Sequence, residues 1–407
     1  MKKRLLALVM TSVLAIGGLS GCGSASKNAS SSNKAQSTGY AKDAKLKIWG
    51  SQEDQEMYRK LVEQFKKDTP EAAEWNIDFG VVMGADAKEE LLKDASAAAD
   101  IFDFASDQIQ ELKKANALYR ITKNKDKIVS KSLPEAVKGA TVDGELYGYP
   151  LTNTTFVMFY DKSMYTEDEV KNLNTMMAKQ LPEGVTNFSM DIDNGWFNSC
   201  FFQGVGSRLF GENGQDPTKC DFNNEKGLMA GNYMANLAAS PKFANQDGPL
   251  LLKAFENKKL GATFQGIWDA EAIKGYLGKD YGVTKLPEIT LEDGSTAQLA
   301  SMMNFNLTGI NAQTKYPAEA MLLAEYMTTN ENALKLRSEL RPQDPTAKKA
   351  LDEQAKLSVL QTSIPQVAKF WPSAEAFGAG LMDKSITKDN MKEKLDLLVK
   401  NILAEVK

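Results

Sequence analysis

The chain of 407 residues contains no histidine. Nucleophile systems that rely on an imidazole, and the common zinc sites, are therefore closed to it. Acid–base work would fall to carboxylates, lysine or tyrosine. Asp191-Ile192-Asp193-Asn194-Gly195 approaches the spacing of a calcium loop, but its glycine comes one position early and Phe202 stands where the bidentate acid belongs. It reads as a turn, and no metal is expected. Gly204-Val205-Gly206 lacks the third glycine of a dinucleotide fingerprint, and no Gly-Lys-Ser/Thr phosphate loop occurs. No cofactor is expected.

The tryptophans offer a different chemistry. Trp49 and Trp75 lie inside strand patterns and read as core. Trp268 and Trp371 each end an apolar run, the first followed by Asp269 and the second by Pro372-Ser373. Trp196 opens a helical stretch, 196–204. A core role is the competing reading for each of these three. Asp107 is placed to cap a helix over 108–115.

The elements that would position them centre on residues 145–162. Apolar runs 146–151 and 156–160 flank the polar run Thr152-Asn153-Thr154-Thr155, with Pro150 at a strand edge or end. One strand, a polar gap and a second strand suit a segment that passes between two lobes. Before it, strands at 45–49, 75–82 and 100–104 alternate with helices, which predicts a mostly parallel sheet covered on both faces. Ligands in such sheets sit at the carboxyl ends of strands, here 50–53 and 105–108. Later strands are expected at 260–268 and 302–311, and Pro317 falls in the first turn of a helix.

Length and composition agree with two domains: 43% of residues are hydrophobic and 25% charged. The net charge of −4 argues against nucleic acid as a partner. Residues 1–21 carry Lys2, Lys3 and Arg4 ahead of an apolar run from Leu5 to Leu19, the pattern of a signal peptide. Leu19-Ser20-Gly21-Cys22 resembles a bacterial lipobox, which implies lipid attachment at Cys22; two acyl chains anchor stably where one does not. Residues 22–44, rich in Ser, Ala, Asn and Lys, read as a flexible linker. With Cys22 set aside, Cys200 and Cys220 form an even pair in an exported chain. A disulfide is expected, worth about 3 kcal/mol in the loop-entropy picture; two buried thiols are the alternative.

Several strings fall in one order. They are Lys47-Ile-Trp-Gly-Ser-Gln-Glu-Asp-Gln, Asp100-Ile-Phe-Asp-Phe-Ala-Ser-Asp, Gly144-Glu-Leu-Tyr-Gly-Tyr-Pro leading to Tyr160-Asp-Lys-Ser, Gly309-Ile-Asn-Ala, and Ile364-Pro-Gln-Val-Ala-Lys-Phe-Trp. Over residues 45–407 this order resembles the extracellular solute-binding proteins of carbohydrate ABC importers, in particular maltose/maltodextrin-binding proteins. The resemblance implies an α/β, two-lobe periplasmic-binding-protein-like fold with the ligand cleft between lobes. It places 45–152 plus 307–341 in lobe 1 and 156–303 plus 343–407 in lobe 2, with crossings at 153–155, 304–306 and 342. Phe104 matches an aromatic that packs on a sugar ring and Asp107 a carboxylate that binds hydroxyls. Trp196 matches a tyrosine, and Trp268 and Trp371 match stacking tryptophans. Ser51, Gln52 and Glu53 fall near the first polar ligand loop.

The chain departs from that pattern where Gln108 replaces an arginine, Thr154 a glutamate and Asn194 a glutamate. A sugar ring has an apolar C–H face and a hydroxyl rim, so it needs aromatic platforms and planar hydrogen-bonding side chains. The candidate ligand set is Ser51, Gln52, Glu53, Phe104, Asp107, Gln108, Asn153, Thr154, Trp196, Trp268, Asp269 and Trp371. The expected role is capture of malto-oligosaccharide by a monomeric, lipid-anchored binding protein at the outer face of a bacterial membrane, with delivery to ABC permease subunits and no catalysis. The alternatives are a cell-surface glycoside hydrolase, for which no motif selects the two carboxylates needed, and the same fold binding another oligosaccharide or a peptide.

Overall fold

The computed structural model describes residues 39–340 and 344–406. The signal peptide, Cys22 and the linker up to residue 38 lie outside the described residues, as does the crossing expected at Pro342.

Two sheets organise the chain. In the first, Lys45–Gly50 runs parallel to both Asn76–Val81 and Ile101–Ala105. Met302–Ile310 adds antiparallel to Ile101–Ala105 and also pairs with Tyr149–Thr154 and Val359–Leu360. In the second, Leu260–Gly266 sits between Phe156–Asp161, antiparallel to it, and Thr186–Met190, parallel to it. Phe243–Asn245 and Tyr281–Thr284 form the edges. The sheets are mixed, because the strands that pass between lobes enter against the direction of the local βα units.

Each sheet has its own core. Leu46, Ile48, Phe65, Phe102, Leu307 and Leu323 belong to the first. Along Phe156–Asp161 alternate side chains go to opposite faces, as the pleat requires. Phe156, Met158 and Tyr160 join Phe188, Phe202 and Phe264, while Val157 and Phe159 meet Leu251, Ile273 and Ala347. Covering both faces explains why this strand is buried throughout.

The chain passes between cores at identifiable residues. Tyr149 lies in the first and Phe156 in the second. On the return, Met302 lies in the second and Met303 in the first. Ala333 packs in the first and Ala347 in the second, on either side of residues 341–343.

Three expectations change. Linker residues 40–44 are fastened down: Ala41 N–H donates to Glu319 (2.6 Å), the Trp75 indole donates to Ala41 O (2.8 Å), and Ala44 is buried. Their apolar contact with Trp75 and Tyr40's ring packing on it offset the entropy that kept them in the linker reading. Cys200 and Cys220 are free thiols, not a disulfide. Cys200 is enclosed within helix Gly195–Gly204 in the second core, and Cys220 pairs through its backbone with Leu209. Burial raises both thiols, Cys220 to about 12, so neither is a ready nucleophile. Finally, the apolar run that ends at Trp371 does not end its element: Pro372 lies inside helix Val367–Met382, which continues past it.

Candidate functional site

In the first lobe two neighbouring parallel strands end together. Ile48 and Trp49 pair with Ile101 and Phe102, so Ser51–Glu53 and Ser106–Gln108 leave the same sheet edge. Ser51 Oγ donates to Asp54 (2.7 Å), and Gln52 and Glu53 are exposed. Asp107 does not cap the helix Ile109–Lys114; its Oδ1 accepts instead from Asn304 Nδ2 on the return strand (3.0 Å). Burial raises the Asp107 carboxyl above its ordinary value, against the lowering effect of that bond. Gln108 is buried and donates to Ala85 O (2.7 Å), while its Oε1 has no partner among the described residues.

Phe104 is a correction. It is fully buried, tilted against Phe102 (5.6 Å between centroids) and pressed against Gly309 and Leu118. Strand alternation sends it into the first core, so it has no face to offer a ligand.

The two linking strands form a ribbon. Thr154 pairs with Asn304, Asn153 with Phe305 and Thr152 with Asn306. Period-two alternation puts Thr152, Thr154, Asn304 and Asn306 on one face, joined to Asp107. Asn153 shares the other face with Phe305, a core residue. The ribbon therefore separates the two nominated neighbours Asn153 and Thr154.

In the second lobe the ends of Thr186–Met190 and Leu260–Gly266 are parallel neighbours, with Ser189 opposite Thr263. Trp196 and Trp268 follow these ends and leave the same edge. Asn194 caps helix Gly195–Gly204 by accepting from Trp196 N (3.0 Å). The Trp196 ring leans on Phe156 (6.3 Å), and its Nε1 finds no partner among the described residues. Gly195 lets this helix approach Phe370 and Ala374, and Asn198 Nδ2 donates to Ala374 O (3.0 Å). These contacts hold the half-buried Trp371, edge-on to Phe370 (4.9 Å), beside the Trp196 helix.

Trp268 is 56% exposed. It sits in the tight turn Ile267–Asp269 and folds back over Gly266, where any side chain would overlap the indole. Burial raises the Asp269 carboxyl above its ordinary value, and the neighbouring Gln265 amide and Trp268 indole act the other way. One ring face is thus backed by main chain and an acid lies at its edge.

Thr152, Asn304 and Asn306 were not nominated from the sequence. Their signal is the polar run 152–155 and the Asn-Phe-Asn alternation of 304–306. A groove of about 470 Å³ elsewhere, beside the edge strand Tyr281–Thr284 and lined by Tyr160, Lys162, Lys285 and Lys349, includes none of the nominated residues.

Residues 60–359 match the profile of the bacterial extracellular solute-binding proteins. The chain belongs to that family. A galactooligosaccharide-binding protein of Bacillus subtilis (strain 168) is 26% identical over 408 residues, spanning 93% of this chain and 92% of the relative. The maltodextrin-binding protein MdxE of the same organism is also 26% identical, over 432 residues, spanning 96% and 98%. Among solved structures, one with acarbose shares 30% identity and a TM-score of 0.80 over 88% of this chain and 98% of its own. The maltodextrin-binding protein MalE1 from L. casei BL23, without ligand, superposes with a TM-score of 0.77 at 24% identity, over 89% and 100%. The solute-binding protein described here has their two-lobe fold.

Proposed function

We propose that this solute-binding protein captures malto-oligosaccharide between its two lobes and hands it to the membrane permease of an ABC importer, with no bond made or broken. The observation that carries the reading is Trp268: an exposed indole, backed by Gly266, with the Asp269 carboxylate at its edge. That pairing suits an apolar sugar face and a hydroxyl on its rim. Trp196 and Trp371 would extend the platform, and Asp107, Gln108, Thr154, Ser51, Gln52 and Glu53 would meet hydroxyls from the first lobe. Closure would favour the bound form through contacts that the open form does not make. The crossings at 153–155, 304–306 and 342 are the proposed hinge, and Cys22 the proposed lipid anchor holding a monomer at the extracellular face of the bacterial cell membrane.

A second cargo, galacto-oligosaccharide, is favoured by the likeness to the galactooligosaccharide-binding protein of Bacillus subtilis. Calorimetric titration of residues 40–407 with maltose, maltotriose, longer malto-oligosaccharides and galacto-oligosaccharides separates the two. Saturable binding restricted to α-1,4-glucans supports the first reading. Binding restricted to galactosides keeps the transport role and replaces the cargo. No binding to either overturns the sugar reading.

A further inference from the structure

The ribbon that joins the lobes carries a fixed pattern of hydrogen-bonding groups. Asn306 Nδ2 donates to Thr152 Oγ1 (3.2 Å) and to Thr154 Oγ1 (3.4 Å). Both amide hydrogens are thereby engaged, and Asn306 Oδ1 is left as an acceptor. Each threonine oxygen, by accepting, keeps its own O–H to donate. One step along the same face, Asn304 Nδ2 donates to Asp107 Oδ1, while Asn304 Oδ1 accepts from Ser106 and from Phe305 N (2.7 Å). Asp107 is thereby tied to the return strand.

The face thus reads donor, acceptor, donor and carboxylate, held by neighbours instead of by long mobile chains. Thr152 is exposed, Thr154 and Asn306 are half-buried, and Asn304 is buried. Ordering is built in before a ligand arrives, which lowers the entropy lost on binding. Apart from Asp107 the face is neutral, which fits an uncharged polyhydroxylated ligand better than a zwitterion. Its opposite face, with Phe305, is core.

We propose that Thr152, Thr154 and Asn306 form a specificity-determining surface that discriminates sugar epimers by the direction of their hydroxyls, with Asn304 as the positioning residue that aims Asp107. The inference rests on the sugar reading above. A site built to hydrogen-bond a hydroxyl discriminates strongly, because a misdirected hydroxyl leaves fixed groups unpaired.

The test titrates the unaltered chain, Asn306→Ala and Asn306→Asp with maltotriose and with a galacto-oligosaccharide of equal length, alongside thermal unfolding. Asn306→Asp keeps the shape and removes the N–H donors, so it guards against loss of fold. The expected result is a fall of about tenfold in affinity for the preferred sugar and a much smaller change for the other, with unfolding temperatures unchanged. Equal losses for both sugars, or no loss for either, overturn this inference and leave sugar binding standing. Failure of the unaltered chain to bind either sugar overturns the sugar reading and the inference with it.

Discussion

Thr155, just before strand Phe156–Asp161, and Ser301, just before strand Met302–Ile310, meet with their hydroxyl oxygens 2.7 Å apart. Thr155 Oγ1 also reaches Met302 O (2.6 Å), and Ser301 Oγ lies 2.8 Å from Ser358 Oγ and accepts from Gln354 Nε2 (3.0 Å). Thr155, Ser301 and Gln354 are buried. A single polar cluster therefore fastens the outgoing strand, the return strand and the segment after helix Pro345–Ala355.

Thr155→Val keeps the shape and removes the hydroxyl, leaving Met302 O and Ser301 short of a partner. It should lower stability by about 1–2 kcal/mol in urea denaturation. Ser301→Ala should cost a similar amount, and the double variant less than the sum, because the two share one network. Strict additivity would show that the cluster is not coupled.

Asp191 and Asp193 bring two carboxyls together at the end of strand Thr186–Met190. Burial, with the hydrogen bond to Asp193, raises Asp191 to about 6; burial also pushes Asp193 up, but bonds from Asn245 and Asp191 bring it below its ordinary value. Of the two, Asp191 is the carboxyl that keeps a proton below about pH 6. Its folded pKa lies above the unfolded one, so its stabilising contribution is complete below about 4 and is lost as pH rises through about 6. Asp191→Asn imitates the protonated form. Its unfolding temperature should exceed that of the unaltered chain by about 2 °C at pH 7.5 and match it at pH 4. An equal offset at both values would rule out the shared proton.

The thiols give a chemical check. Denatured, unreduced protein comprising residues 40–407 should react with two equivalents of a thiol reagent, for Cys200 and Cys220. In the native state Cys200, fully enclosed, should stay unmodified, because a buried thiol with a raised pKa supplies almost no thiolate. Zero equivalents after denaturation would restore the disulfide.

The order of strands and helices was legible because periodicity and proline placement survive in a single sequence: Pro317 opens the helix Pro317–Thr329. Phe104 and Trp268 were not separable on the same grounds. Both are aromatic residues near a strand's carboxyl end, and only pairing geometry shows one turned inward against Gly309 and the other turned out over Gly266. The faces of Asn153 and Thr154 depend on register with the return strand, some 150 residues away, which no local pattern encodes. Cysteine parity likewise says nothing of distance.

Gly266 and Trp268 make the last prediction. The strand Leu260–Gly266 ends where the indole folds back, and a methyl group on Gly266 would occupy the space of the ring. The backbone there has an ordinary negative φ of −70°, so alanine meets no conformational penalty and its effect reports on the ring alone. Gly266→Ala should push Trp268 off its seat and part it from Asp269. Sugar affinity should then fall about as far as in Trp268→Ala, roughly tenfold, a loss of about 1.4 kcal/mol. Trp371→Ala should weaken binding by at least about 1 kcal/mol if that ring stacks too. Calorimetry on the three folded variants decides it: loss in Trp268→Ala but not in Gly266→Ala would mean that the ring binds without needing its glycine seat, and wild-type affinity in all three would return both tryptophans to a structural role.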